Sequence, residues 1–127
     1  MIIGVGIDVC EVPRMAASIA RFGDRFLERV FTAGEIRYCQ SKKNSTERFA
    51  ARFAAKEAAM KALGTGAAYG VTWKSIEVGH APGGRPTLHL HDRTAEIAAR
   101  LGVERISLSI THTETMGMAV VVLENAR

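Results

Sequence analysis

The sequence predicts an α+β domain with a mostly antiparallel sheet packed around a long buried helix. Three observations support this prediction. Strand-like segments open and close the chain, helical patterns lie between them, and the last two strand-like segments are close enough to form a hairpin. The 127 residues, of which 47% are hydrophobic and 24% charged, are typical of a single globular domain spanning 1–127.

The first elements follow from residue alternation and from helix-terminal signals. Residues 2–8 alternate as a strand, with Ile3, Val5 and Ile7 on one face and Gly4, Gly6 and Asp8 on the other. Pro13 is typical of a first helical turn, and Gly23 would end that helix. The segment from Thr32 to Glu35 has capping-box spacing and opens a short helix toward Gln40.

The later elements are predicted from periodicity and from turn residues. They are a helix that begins between 44 and 46 and ends at Gly64, strands over 71–79 and 86–91, a helix from its cap at Asp92 or Thr94 to Leu101, and the strands RISLSIT and GMAVVVLE joined around HTETM.

Composition narrows the class of protein. No apolar stretch reaches the roughly 20 residues that a membrane span needs, and the start MIIGVGIDVCEV lacks the features of a signal peptide. Cys10 and Cys39 lack CxxC spacing, so we expect reduced thiols in a cytoplasmic protein. The net charge of +4 favours an anionic substrate or an acidic partner. A basic nucleic-acid-binding module is disfavoured because Trp73, Tyr38 and Tyr69 are scattered.

The segment FAARFAAKEAAMKALGTG, residues 49–66, is apolar around nearly its whole circumference, as a buried helix is. One side gathers Phe49, Phe53, Met60 and Leu63, and the opposite side gathers Ala51, Ala55, Ala58 and Ala62. Glu57 falls between these sides, and Lys61 follows it at the i,i+4 spacing that allows contact. An ion pair between them on a partly exposed edge is the simplest interpretation.

Asp8 adds a second carboxylate. It ends the first strand on the glycine face, where a phosphate or a metal could lie close to the backbone, although an Asp that caps the following turn is the simpler alternative. Asp8 and Glu57 together would supply two hard oxygen ligands for Mg²⁺, and Lys61 would meet a phosphate held by that metal. His112 at a strand end could bind phosphate, or it could simply be exposed in a turn.

Three segments resemble, in order, the sequence blocks of the phosphopantetheinyl transferases of the holo-[acyl-carrier-protein] synthase type. GIDVCEVPRM resembles the block GIDxxxxxR, and FAARFAAKEAAMKALGTG resembles FAxRFAAKEAxxKAxGTG. SLSITHTETMGMAVVV resembles SxSHxxxxAxAxVV, with departures at Thr111 and at Met116 and Gly117. The resemblance covers essentially the whole chain.

The resemblance implies a Mg²⁺-dependent reaction of fatty acid biosynthesis. The 4′-phosphopantetheine arm of coenzyme A would move to a serine of apo acyl carrier protein, releasing adenosine 3′,5′-bisphosphate. Matching positions imply that Asp8 and Glu57 bind the metal and that Lys61 contacts the phosphates as a catalytic residue. They also imply a coenzyme A site lined by Arg52, Lys61, Gly64 and His112. The residues implied to face the carrier protein are Arg14, Arg21 and Arg25.

The resemblance also implies a homotrimer with active sites at subunit interfaces. The base that takes the serine proton stays open between Glu57 and a metal-linked water. The main alternative is a different Mg²⁺-dependent phosphoryl-transfer or hydrolase domain that uses the same two carboxylates.

Overall fold

The computed structural model describes residues 1–126 of the chain. In chain order its elements are β1 (Ile2–Glu11), α1 (Val12–Phe22), α2 (Asp24–Val30), α3 (Ala33–Gln40), α4 (Ser45–Leu63), β2 (Ile76–His80), β3 (Pro86–Leu90), α5 (Asp92–Leu101), β4 (Arg105–His112) and β5 (Met116–Glu124). The described strands form a three-stranded sheet in the order β1-β5-β4 and a β2-β3 hairpin, all antiparallel. The predicted α+β class with an antiparallel sheet is therefore confirmed.

Helix α4 is the long buried helix that the sequence predicts. From Phe49 to Leu63, all its side chains are buried except those of Phe53, Glu57 and Lys61. These three positions are spaced by four residues, so they form one accessible stripe along the helix. The helix ends where expected, because Gly64 adopts the left-handed conformation with φ 77°.

The backbone of α4 lies directly on β1 and β5, where glycines of the strands face alanines of the helix. A Cβ at Gly4, Gly6 or Gly117 would overlap the backbone of Ala62, Ala58 or Ala51, respectively. The space beside the glycine face of β1 is thus filled by α4 and is not available to a ligand, which corrects the expectation from the sequence.

Strand β1 differs from its prediction at both ends. It continues to Glu11, which pairs with Met116 of β5, so Asp8 lies inside the strand and does not cap a turn. A register shift between Ile2 and Gly4 separates Ile3 from the rest of its predicted face. As a result, Ile3 packs against the main core.

The sheet face turned away from α4 carries apolar side chains from two neighbouring strands. Val5, Ile7 and Val9 of β1 and Met118 of β5 are exposed, and Val120 and Val122 of β5 are half-buried. We call these six residues the apolar sheet face. In the register of the two strands, Val5, Ile7 and Val9 lie opposite Val122, Val120 and Met118, so the side chains form one continuous surface.

Helix α2 is absent from the sequence-based prediction. Gly23, at φ 57°, ends α1 as expected, but the chain enters a second helix immediately. Leu27 and Val30 of α2 are buried in a second core cluster together with Met15 and Phe31. This tertiary burial stabilises a helix of seven residues that would be too short to form alone.

Two further boundaries differ from the prediction. The predicted strand over 71–79 begins only at Ile76, because Ser75 bonds back to the carbonyl of Thr72 at 2.6 Å and closes a turn. The cap of α5 is His91, so the predicted cap at Asp92 or Thr94 is wrong. Thr94 is instead buried, with its hydroxyl 2.6 Å from that of Ser75.

Within residues 1–126, no helix is long and apolar enough to span a membrane.

We expect Gly6→Ala to lower the free energy of unfolding by about 1–3 kcal/mol, because the added methyl group must push α4 away from β1. Gly34→Ala in α3 is the matched control: its added Cβ meets no atom closer than 3.8 Å, so stability should stay equal or rise slightly. Urea denaturation measures both variants. Equal midpoints for Gly6→Ala and the wild type would contradict the close packing described.

Candidate active site

Asp8 of β1 and Glu57 of α4 line the same cavity of about 370 Å³. Helix α1 closes one wall of this cavity with Arg14 and Ser18, and Phe26 of α2 contributes to another. The two carboxylates that the sequence singles out, nearly fifty residues apart in the chain, therefore share one solvent-accessible space. We call it the carboxylate cavity.

Lys61 is tied to Asp8 and not to Glu57. Its Nζ donates to Asp8 Oδ1 at 3.1 Å and to the carbonyl oxygen of Ile7 at 3.0 Å. The predicted Glu57–Lys61 ion pair is absent from the described residues, because β1 offers Lys61 two acceptors beside α4. The Lys61 side chain is 58% exposed, so its ammonium group remains accessible to an anionic ligand.

Glu57 is held by Trp73, a residue for which the sequence indicates no functional role. The indole Nε1–H of Trp73 donates to Glu57 Oε2 at 2.9 Å. The carbonyl of Trp73 in turn accepts a hydrogen bond from Lys56 Nζ, also at 2.9 Å. No local pattern in the sequence indicates this contact, because Trp73 lies in a turn outside α4.

Lys56 is a fully buried charged residue of α4. Its Nζ lies 2.9 Å from Glu35 Oε1. Burial lowers the pKa of Lys56, and the neighbouring Glu35 carboxylate opposes this shift. Glu35 also accepts hydrogen bonds from the backbone N–H groups of Thr32 and Val78, each at 2.8 Å, so the protein holds both oxygens of its carboxylate. Removing one partner of such a buried pair costs about 3–5 kcal/mol of stability. We therefore assign Lys56 a role in stabilising the fold.

Arg52 lies outside the carboxylate cavity. It is buried, with its Cζ 4.4 Å from the centroid of the Tyr38 ring and its Nη2 3.2 Å from His80 Nε2. Burial, and then the Arg52 charge, lower the pKa of His80, so its neutral ring can accept a hydrogen bond from Arg52 at pH 7. Arg48 Nη1 donates to the Tyr38 hydroxyl at 3.1 Å. These residues form a separate basic cluster, which we call the Arg52 cluster.

The other two residues expected at a coenzyme A site also lie apart from the carboxylate cavity. His112 is at the end of β4, with Nδ1 3.0 Å from Glu47 Oε1 near the start of α4. Gly64 is exposed at the opposite end of that helix, three residues beyond Lys61. The structure thus brings Asp8, Glu57 and Lys61 together but does not bring Arg52 or His112 to them.

The three arginines expected to face a carrier protein lie on neighbouring surfaces. Arg14 lines the carboxylate cavity, and Arg25 lines a second cavity of about 510 Å³ together with Phe22, Phe26 and Arg29. Phe26 lines both cavities, so the two spaces adjoin. Arg21 lies over the Phe22 ring with its Cζ 5.1 Å from the ring centroid. The sequence did not indicate a role for Phe26 or Arg29, because α2, the helix that presents both residues, was not predicted.

The donor set of the carboxylate cavity fits Mg²⁺. No group of three or more His, Cys, Asp or Glu residues that could hold a metal occurs in the part of the chain that the structure describes. Mg²⁺ commonly takes one or two protein carboxylates and completes its octahedron with water and substrate phosphate oxygens. Two carboxylates on an open cavity meet that requirement without a third ligand.

Residues 4–120 match the family model of the 4′-phosphopantetheinyl transferase superfamily. The chain belongs to this superfamily. Its sequence is 62% identical to the holo-[acyl-carrier-protein] synthase of Koribacter versatilis, over 98% of this chain and 100% of the relative. The resemblance carried by the three sequence blocks is thereby confirmed for the chain as a whole.

Solved structures of the superfamily share the fold. The holo-[acyl-carrier-protein] synthase of Neisseria meningitidis superposes with a TM-score of 0.91 at 33% identity, covering 98% of this chain and 100% of that one. The synthase of Bacillus anthracis, solved in complex with CoA (3′,5′-ADP), gives a TM-score of 0.82 at 36% identity, covering 99% of each chain. The predicted phosphopantetheinyl transferase-like fold is confirmed.

Proposed function

We propose that this protein transfers the 4′-phosphopantetheine group of coenzyme A to a serine of an apo acyl carrier protein in a Mg²⁺-dependent reaction. A single domain that spans residues 1–127 would catalyse this transfer. One observation carries the proposal: in a chain of this superfamily, Asp8 and Glu57 line one cavity, with Lys61 beside Asp8. The names of the synthases to which the chain is similar support the choice of donor and acceptor.

The residues of the cavity suit the transfer of a phosphoryl-linked group. Such a reaction needs neutralised charge and an aligned nucleophile more than covalent help from the protein. Mg²⁺ held by Asp8 and Glu57 would neutralise the pyrophosphate of coenzyme A. The exposed ammonium of Lys61 would bind a phosphate oxygen and stabilise the departing bisphosphate. Glu57 and a water in the cavity are the two candidates for the base that takes the serine proton.

The coenzyme A site would extend beyond one chain. Arg52 and His112 lie outside the carboxylate cavity, so a second subunit would have to supply them to the coenzyme A bound there. The Arg52 cluster offers concentrated positive charge to a phosphate, and Gly64 leaves the end of α4 open beside Lys61. We therefore propose sites shared between subunits of a homotrimer.

The apolar sheet face supports this assembly. Exposed apolar side chains that form a continuous patch are typical of protein–protein contacts. The face lies on β1 and β5, the strands that also hold α4, so an assembly through it would be anchored to the rigid core.

The carrier protein would bind across the two adjoining cavities. This region combines positive charge from Arg14, Arg21 and Arg25 with apolar surface that includes Phe26. This combination suits a helix with an acidic face and a few apolar side chains. A nucleic acid is a poor fit, because Tyr38 and Trp73 are engaged by Arg52 and Glu57, and the exposed Tyr69 lines neither cavity. Location in the cytoplasm stays a prediction from the sequence.

We expect Asp8→Ala and Glu57→Gln to lower the rate of transfer by at least about 100-fold while the protein stays folded, because each removes a hard metal ligand. The measurement is the mass of apo acyl carrier protein after incubation with coenzyme A and Mg²⁺. Glu96→Gln, an exposed carboxylate of α5, is the control and should leave the rate unchanged. Wild-type turnover by Asp8→Ala or Glu57→Gln would refute the metal assignment. Release of phosphopantetheine to water by the wild type, without carrier modification, would favour the hydrolase alternative.

We expect light scattering to give a mass about three times 13.7 kDa for the wild type. Val5→Lys should give a folded species of lower mass and lower activity, because it places charge in the proposed interface. Leu101→Lys makes the same kind of change on an exposed side chain of α5 and should leave the mass unchanged. A fully active monomer at assay concentration would contradict sites shared between subunits.

We expect Arg14→Glu and Arg25→Glu to raise the Michaelis constant for the carrier protein roughly 5-fold at saturating Mg²⁺, and to leave that for coenzyme A nearly unchanged. The wild-type rate should fall as salt rises, and both variants should lose part of this dependence. Arg100→Glu in α5 reverses an exposed charge away from both cavities and serves as the control. If all three variants behave alike, the docking surface lies elsewhere.

A further inference from the structure

Trp73, the single tryptophan of the chain, connects the buried core to the carboxylate cavity. Its indole N–H donates to Glu57 Oε2 at 2.9 Å. Among the described residues, Glu57 Oε1 accepts no hydrogen bond from the protein. The two oxygens of this carboxylate therefore differ, because one is held by the protein and the other is left for a ligand.

The position of Trp73 is itself strongly fixed. Its carbonyl accepts from Lys56 Nζ at 2.9 Å and from the backbone N–H of Ile76 at 3.1 Å. Its ring packs against both hydrophobic core clusters, and its centroid lies 6.1 Å from that of Phe53. A donor held at the backbone and at the ring can fix the direction of the carboxylate it contacts.

We infer that Trp73 is a positioning residue for Glu57. By holding Oε2, it orients the Glu57 carboxylate so that Oε1 faces a divalent cation. The inference rests on the proposed role of Glu57 as a metal ligand. Ligating carboxylates are commonly oriented by an outer hydrogen-bond donor, and loss of that donor costs about 10- to 100-fold in metal affinity or activity. Lys56 acts one step further away, because it anchors the carbonyl of the residue whose indole contacts Glu57.

The test replaces the indole N–H and keeps the shape of the ring. Since the chain has one tryptophan, growth on β-(3-benzothienyl)alanine changes position 73 alone and puts sulfur in place of the N–H group. Incorporation of 5-fluorotryptophan, which retains the donor, is the matched control. Trp73→Phe is the genetically encoded second variant without a donor.

The readouts are Mg²⁺ affinity and the Mg²⁺ dependence of the rate. Calorimetric titration of Mg²⁺ into the protein with coenzyme A, but without carrier protein, should give about 10-fold weaker binding for both donor-free proteins and wild-type binding for the fluorinated one. The Mg²⁺ concentration for half-maximal transfer should rise by the same factor, and saturating Mg²⁺ should restore most of the rate. Trp73 emission should change when Mg²⁺ binds to the wild type, and Glu57→Gln should remove that change.

The outcomes separate the two proposals. If Glu57→Gln binds Mg²⁺ as tightly as the wild type, the proposed metal site fails. If Glu57→Gln weakens binding but both donor-free proteins bind Mg²⁺ like the wild type, the metal site stands and the role of Trp73 is overturned. A lower melting temperature with unchanged Mg²⁺ affinity would likewise overturn it, because that result describes a residue that serves only the fold.

Discussion

The contact of the α4 backbone with the backbones of β1 and β5 is the constraint on which the site depends. It requires glycine at positions 4, 6 and 117, where a Cβ would overlap the helix. Because strand residues alternate, Asp8 continues the glycine row of β1 and lies on the side of α4. The accessible stripe of α4 then brings Glu57 to the same cavity and Lys61 to Asp8 itself. A larger side chain in the glycine row would separate the two carboxylates as well as loosen the core.

A second interaction holds α4 from its other side. The buried Lys56–Glu35 pair joins α4 to the start of α3, and Glu35 also binds the N–H of Val78 in β2. Lys56 precedes Glu57, so the anchored residue and the cavity residue are neighbours on the chain with opposite environments. Lys56, Glu57 and Lys61 of this helix thus have distinct roles: Lys56 fixes the helix in the core, whereas Glu57 and Lys61 belong to the accessible stripe.

Much of this arrangement could be predicted from the sequence, and the failures that affect the site and its supporting core share one physical cause. Local signals predicted α4 with Gly64 at its end, the capping box at Thr32, which is present, and the closing β4–β5 hairpin. These failures concern contacts with distant partners. Helix α2 forms because the core buries Leu27 and Val30, Lys61 turns to Asp8 because β1 lies beside it, and Trp73 reaches Glu57 from a turn sixteen residues away. Periodicity describes one element at a time and cannot supply such contacts.

The two faces of β1 link the site to the proposed assembly. Helix α4 covers only one side of the three-stranded sheet, and the alternation that directs Gly4, Gly6 and Asp8 toward the helix must direct Val5 and Ile7 the other way. Since that second face is apolar and remains exposed in one chain, burying it against other copies would lower the free energy of the assembly. A shift of β1 by one residue relative to β5 would turn Asp8 toward the apolar sheet face and turn Val5, Ile7 and Val9 toward α4. Correct pairing of β1 with β5 is therefore a shared requirement of the carboxylate cavity and of the apolar sheet face.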